Sequence, residues 1–268
     1  MPELPEVELA RQALTGALDR EIRAIDDNDE FVCRPHPPGE IARALVGGRL
    51  TAAHRRGKAM WCDTEVRGRS GPRLGIHLGM GGRLVVTGGA GERAGGEPVR
   101  PDRTPRKPEW DRFTMIFTDG GSLRLFDKRR LGRVRLEPGV DALGPDAELI
   151  DRAEFRTRVG RGHAPVKARL LDQSVLAGVG NLLADETLWQ ARVHPATPAD
   201  ELDGAWDRLY DALQAALKSA IAQGGVHTGE VIPFRGADTP CPRCGAPMHH
   251  GTVGGRSTWW CSREQTRP

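Results

Sequence analysis

The chain opens MPELPEVELARQAL, which places Pro2, Glu3 and Glu6 within five positions of one another. If Met1 is removed, Pro2 becomes an N-terminal secondary amine. An α-amine has an ordinary pKa of about 7.7–8.0, so a useful fraction is neutral and nucleophilic at neutral pH. Two carboxylates beside it could move protons. A plainer reading stays open at this point, because proline and acids also suit the first turn of a helix.

A second constellation lies near the other end. Cys241-Pro-Arg-Cys244 is a C-x2-C pair, sixteen residues precede Cys261, and Glu264 stands where a four-cysteine zinc ribbon would carry its last thiolate. Zinc accepts carboxylate oxygen, so Glu264 is the first candidate for the fourth ligand, with His249 or His250 as substitutes and a metal-free hairpin as the plain alternative. Between these cysteines, GGRSTWW sets Arg256 beside a glycine turn, where it is either a solvated side chain or a phosphate hook. The remaining cysteines, Cys33 and Cys62, read as small buried hydrophobes, and an odd total of five argues against a disulfide framework.

Net charge is only +3 over 268 residues, yet its distribution is uneven. Residues 1–30 hold nine acids and three basic residues, whereas RLFDKRRLGRVR at 124–135 holds six basic residues and one acid. HRRGK at 54–58 and RTRVGRGHAPVKAR at 156–169 add further clusters. Such clusters suit phosphate contact or a solvated basic face. A mean hydropathy of −0.47 and the absence of a long apolar run exclude a helical membrane span. No basic-then-apolar leader is present, so a cytoplasmic location is expected.

The elements that must position these residues follow from periodicity. Leu4, Val7, Leu14 and Leu18 predict a helix over 3–18. RLTAAHRR, KAMWCDT, RLGIHLG, GRLVVTG, RFTMIFTD, SLRLFD and GRVRLEP read as short strands of a sandwich or barrel, with TDGGS at 118–122 as a hairpin turn. Residues 88–108 are rich in Gly, Pro and charge and are expected to form a long loop. Beyond about 146 the pattern becomes helical. PVKARLLD and GNLLADETLWQAR flank QSVLAGVG, and a long amphipathic segment ends at the glycines of AIAQGG. The glycine turn before Asn181 could join an ordinary helical hairpin or offer backbone N–H groups to a phosphate.

Six separated motifs, PELPEVE, RRGK, HLGMGG, DKRRLG, GVGN and CPRCG…GGRSTWWC, occur in an order that resembles the formamidopyrimidine-DNA glycosylase and endonuclease VIII family. The resemblance covers residue 2 to about 265 and is nearer the formamidopyrimidine branch. It implies an α+β multidomain protein. An N-terminal helix and catalytic β-sandwich would span 1–140, a helix-two-turn-helix DNA-binding domain 141–237, and a zinc-ribbon-like β-hairpin 238–268.

By the same resemblance Pro2 is the nucleophile that forms a Schiff base with C1′ of a damaged nucleotide. Glu3 is the general acid/base, Glu6 a supporting carboxylate, and Lys58 a phosphate contact within the catalytic set. Asn181 and Arg256 complete a phosphate clamp, and Lys167 is a further DNA contact. Met80 would fill the space left by the everted base, while Arg129 and Leu131 enter opposite the lesion.

The expected function is removal of oxidised bases from double-stranded DNA with cleavage at the resulting abasic site. The protein would be a monomer with one structural Zn2+ held by Cys241, Cys244, Cys261 and Glu264, and no membrane partner. A non-catalytic lesion-binding protein of the same fold is the alternative. Two departures stand out. Leu131 occupies a position where the formamidopyrimidine branch usually has Phe. The segment between the glycines and Cys241 is only VHTGEVIPFRGADTP, so the loop that covers an everted 8-oxoguanine looks short or absent.

Overall fold

The structure is a computed structural model that describes residues 2–89, 91–98, 107–202, 204–237 and 239–267. The chain divides into two compact units, one formed by Met1–Pro2 and Glu6–Asp141, the other by Glu3–Pro5 and Ala142–Pro268.

In the first unit, helix α1 (Leu4–Leu14) is followed by a tighter turn at Thr15–Ala17, so the expected helix over 3–18 is present with a 3-10 end. Its Val7, Ala10 and Leu14 are buried one turn apart along the same stripe. Two sheets follow. One has the order β1-β8-β9-β6-β7, from strands β1 (Ile22–Asp26), β6 (Arg83–Gly88), β7 (Gly91–Gly96), β8 (Asp111–Phe117) and β9 (Ser122–Phe126). The other has the order β10-β5-β3-β2, from β2 (Gly48–Arg56), β3 (Ala59–Val66), β5 (Leu74–His77) and β10 (Arg133–Leu136), with β4 (Arg69–Ser70) paired to β3. Phe113, Met115 and Leu125 of the first sheet share one core with Leu50, Met60, Ile76 and Val134 of the second. That is a sandwich, each strand turning alternate residues inward. Helices α2 (Glu30–Cys33) and α3 (Glu40–Leu45), together with β1, were not evident in the sequence pattern.

The expected loop at 88–108 is a misreading in part. Gly91–Gly96 forms β7, paired antiparallel with β6. Gly95 and Gly96 are packing requirements rather than loop signals: a Cβ on Gly95 would lie 2.2 Å from the Leu9 carbonyl oxygen of α1, and one on Gly96 2.7 Å from the Gly82 carbonyl oxygen. Residues 99–106 of that stretch lie outside the described residues.

The second unit is helical. Leu4 joins a core built from α4 (Arg152–Val159), α5 (Val166–Leu171), α6 (Asn181–Gln190) and α7 (Trp206–Gln223). Asp151 caps α4 through the Glu154 N–H at 2.8 Å, and Gly224 ends α7 with φ of 97°. The unit closes with the hairpin of β11 (Met248–Val253) and β12 (Arg256–Cys261), turned by Gly254 and Gly255, whose φ values are 60° and 71°. Trp189, Val231, Cys241, Met248 and Cys261 form a small core at its base.

Candidate active site and nucleic-acid contacts

Pro2 is buried, and the next residue explains why the chain start is held so firmly. The Glu3 carboxylate accepts three backbone N–H groups at the start of α6: Gly180 at 3.0 Å, Leu182 at 2.9 Å and Leu183 at 3.0 Å. A helix N-terminus offers unpaired donors and a positive dipole end, and here a carboxylate fills it. The fit leaves no room for another side chain, since a Cβ on Gly180 would meet the Glu3 Cδ at 2.2 Å. Leu4 N–H also donates to the Gly178 carbonyl at 3.1 Å. The glycine turn VLAGVGN thus grips a carboxylate of the chain itself. It binds an anion, as its N–H geometry allowed, but the anion is Glu3.

Within the first unit, Glu6 is buried in the first turn of α1. Lys58 lies in the turn between β2 and β3, where Gly57 has φ of 58°. Arg55 holds that turn: its Nη1 donates to the Gly57 carbonyl at 3.3 Å, and its Nε donates to Glu8 of α1 at 3.0 Å. Glu8 also accepts from Arg11 at 2.7 Å and Gln12 at 3.1 Å. Burial works to raise the Glu8 pKa, but these donors outweigh it and hold the carboxyl below its ordinary value. Glu8 and Arg55 were not singled out in the sequence, although both sit inside quoted motifs.

Met80, Arg129 and Leu131 come together. Arg129 Nη2 donates to the Met80 carbonyl, and Met80 and Leu131 are 44% and 41% exposed, high for apolar side chains. Asp127, wholly buried, sets this loop. Its carboxylate accepts the N–H groups of Arg129 at 3.0 Å, Leu131 at 2.7 Å and Gly132 at 2.6 Å. The acid of DKRRLG was a missed positioning residue; an acid two residues before a turn is the signal that could have found it.

Asn181 and the Arg256 strand are also joined. Asn181 Nδ2 donates to the Ser257 carbonyl at 2.9 Å, and its Oδ1 is buried with no hydrogen-bond partner among the described residues. Arg256 stands exposed beside the hairpin turn. Lys167 departs from its expected role as a DNA contact. It is fully buried, with Nζ 2.6 Å from Asp185, donating to Thr258 Oγ1 at 2.7 Å and to the Ser257 carbonyl at 3.3 Å. Arg235 Nε donates to the same Asp185 at 2.8 Å. Burial pulls Lys167 below and lifts Asp185 above their ordinary pKa values, and their mutual attraction opposes both shifts. Lys167 therefore ties the Arg256 strand to α5 and α6 instead of reaching a phosphate.

Cys241, Cys244 and Cys261 converge, with all three sulfurs within 4.8 Å of one another and Cys244 and Cys261 only 3.4 Å apart. Three thiolates around tetrahedral zinc, each at about 2.3 Å, would stand about 3.8 Å apart, so the cluster fits that ion. Trp189 Nε1 donates to Cys241 at 3.3 Å and Glu264 N–H to Cys261 at 3.4 Å, as suits thiolate ligands. Burial works against ionisation of both Cys241 and Cys261; at Cys241 the N–H donors from Trp189, Arg243 and Cys244 prevail and its pKa is lowered, whereas at Cys261 burial prevails and pushes the thiol up to about 11. The Glu264 side chain is not in this cluster. Its carboxylate accepts from Arg243 Nη1 at 2.8 Å, and Arg243 is itself pinned over the Trp189 ring at 3.8 Å. His249 and His250 pack on Trp260 and Trp259 instead. Cys33 and Cys62 are buried as expected, and burial pushes both thiols up to about 12.

Two family models match: the formamidopyrimidine-DNA glycosylase N-terminal domain over residues 1–134 and the H2TH domain of the same glycosylase over 142–230. The chain belongs to the formamidopyrimidine-DNA glycosylase family. It is 35% identical to the formamidopyrimidine-DNA glycosylase of Salinispora arenicola, over 100% of this chain and 97% of that one. The Bacillus subtilis enzyme of that name is 33% identical, with full coverage of both chains. Among solved structures, the Lactococcus lactis Fpg bound to an abasic-site DNA superposes with a TM-score of 0.78 at 26% identity, covering 98% of this chain and 99% of that one. The same protein with an oxidised-pyrimidine DNA gives 0.79 at 27% identity, over 99% and 100%. The chain is therefore an enzyme of base excision repair, a DNA glycosylase and abasic-site lyase. Among the described residues no helix is long and apolar enough to cross a membrane.

Proposed function

We propose that the enzyme acts on damaged double-stranded DNA with Pro2 as its nucleophile. The observation that carries this reading is Glu3, adjacent to Pro2, locked by three backbone N–H groups at the start of α6. After loss of Met1, the neutral Pro2 nitrogen attacks C1′ of the damaged nucleotide. The C1′–base bond breaks and the base leaves with a proton. The sugar ring opens to an iminium joined to Pro2, with its ring oxygen protonated. Glu3, a carboxylate at rest, takes the proton that Pro2 loses and hands it to the ring oxygen, water supplies the proton carried off by the base, and Glu6 supports Glu3. Abstraction of a C2′ proton then expels the 3′ phosphate, a second elimination expels the 5′ phosphate, and water frees Pro2. Lys58, Asn181 and Arg256 hold phosphates of the damaged strand, while Met80, Arg129 and Leu131 occupy the space the nucleotide leaves.

For the lesion, formamidopyrimidines, oxidised pyrimidines and abasic sites fit better than 8-oxoguanine. The short segment that follows α7 is tied down rather than available as a cover. Val231 N–H donates to Glu186 at 3.0 Å, and Arg235 is held by Asp185. The Lactococcus lactis Fpg has been solved with abasic-site, Fapy-dG and oxidised-pyrimidine DNA and a similar MutM with carbocyclic 8-oxo-G DNA, so the preference rests on the short segment after α7 and not on these relatives.

Zinc is the metal we assign to Cys241, Cys244 and Cys261. It supplies no chemistry to the reaction; it fixes the hairpin that presents Arg256. Glu264 becomes the fourth ligand only by leaving Arg243, which makes it a weaker fourth ligand than a thiolate.

Borohydride added during reaction with abasic-site DNA tests the nucleophile. It is expected to trap an adduct on the N-terminal peptide, and a chain extended before Pro2 should neither trap nor cleave. Normal cleavage by the extended chain would overturn the Pro2 assignment.

A further inference from the structure

The loop that carries Arg129 and Leu131 has a third member that the function above leaves unused. Arg130 sits between them with φ of 56°, a left-handed conformation uncommon for a side chain of this size. Its guanidinium is held by Asp29, donating at 2.9 Å, 3.0 Å and 3.2 Å. The same Asp29 caps α2, accepting from Phe31 N–H and Val32 N–H at 3.1 Å each. These contacts lay the Arg130 guanidinium over the Phe31 ring, 4.5 Å from its centroid. Phe31 nevertheless remains 55% exposed, more than either Met80 or Leu131.

A guanidinium stacked on an exposed aromatic ring is a surface on which a nucleobase can lie, and the cations suit a phosphate backbone. Leu131 has no π face and can only wedge; Phe31 has one and is backed by Arg130, the residue just before Leu131. We propose that Phe31, braced by Arg130 and Asp29, is a second DNA-contact element that stacks on a base of the undamaged strand beside the position Leu131 enters. This rests on the reading of Arg129 and Leu131 as the residues that invade the duplex. Phe31 is then a specificity element for double-stranded substrate, and it makes up for the stacking that Leu131 cannot give.

The test uses a tetrahydrofuran abasic analogue, which the enzyme binds without cleaving, in a duplex and in the same strand alone. A 2-aminopurine placed in the undamaged strand next to the gap reports stacking through its fluorescence. Phe31→Ala is expected to weaken duplex binding about tenfold and abolish the fluorescence change, with single-strand binding unchanged. Phe31→Tyr should restore both. Phe31 is exposed, so neither change should alter the melting temperature. Undiminished duplex binding by Phe31→Ala, while Leu131→Ala loses it, would overturn the platform and leave the invading loop standing. Full duplex binding by both variants would overturn the two readings together. Equal losses on duplex and single strand would also overturn the platform.

Discussion

At the residue scale, the proposed chemistry depends on carboxylates and cations that the fold has already committed to partners. Glu3 spends its oxygens on three N–H donors. Glu3→Gln keeps the shape but sets an amide NH2 against donors that need an acceptor. Single-turnover excision from a lesion duplex should fall by about 10²–10⁴, with DNA affinity little changed. Asp185 shows the opposite situation, a buried acid serving structure. Asp185→Ala leaves Lys167 and Arg235 without their counter-charge, and urea unfolding should report a loss of about 3–5 kcal/mol.

At the element scale, Glu8 and Arg55 join α1 to the β2–β3 turn that carries Lys58. Because the Glu8 pKa is depressed in the folded protein, its stabilisation is present above the ordinary value of 4.5 and fades as pH falls through the lower folded value. Glu8→Gln should therefore cost about 1–3 kcal/mol at pH 7 in urea titrations, and the difference from the parent should shrink in acid. Loosening the Lys58 turn should also raise KM for abasic DNA more than it lowers kcat.

At the scale of the whole molecule, the proposed phosphate contacts come from distant parts of the sequence, and salt dependence would measure them together. Lys58→Ala and Arg256→Ala should each reduce the slope of log K against log salt by about one charge, uniformly across duplex sequences. On the zinc assignment proposed above, removing the metal is expected to act through the hairpin alone. Cys244→Ala, or chelation, should lower DNA affinity while the sandwich core, which contains none of these cysteines, keeps its own unfolding transition. Glu264→Cys should slow the loss of zinc to a chelator, since a thiolate holds zinc more firmly than a carboxylate.

The sequence by itself determined the N-terminal helix, seven of the strands, the three helices around VLAGVGN and after it, and the grouping of three cysteines. Those features rest on periodicity and on spacings within a few turns of chain, which local conformation enforces. The tertiary structure alone decided what the charged groups do. Glu3 meets N–H donors 177 to 180 residues away, and no local pattern marks that meeting. Lys167 lies in a basic cluster that reads as a phosphate surface, yet Asp185 and Thr258 draw it inside. Glu264 has the spacing of a ligand, but Arg243, fixed on Trp189, captures its carboxylate. Gly95 of β7 looks like part of a loop until α1 is packed against it. Spacing states which groups could reach a site; burial and competing partners, set by distant parts of the chain, decide which of them do.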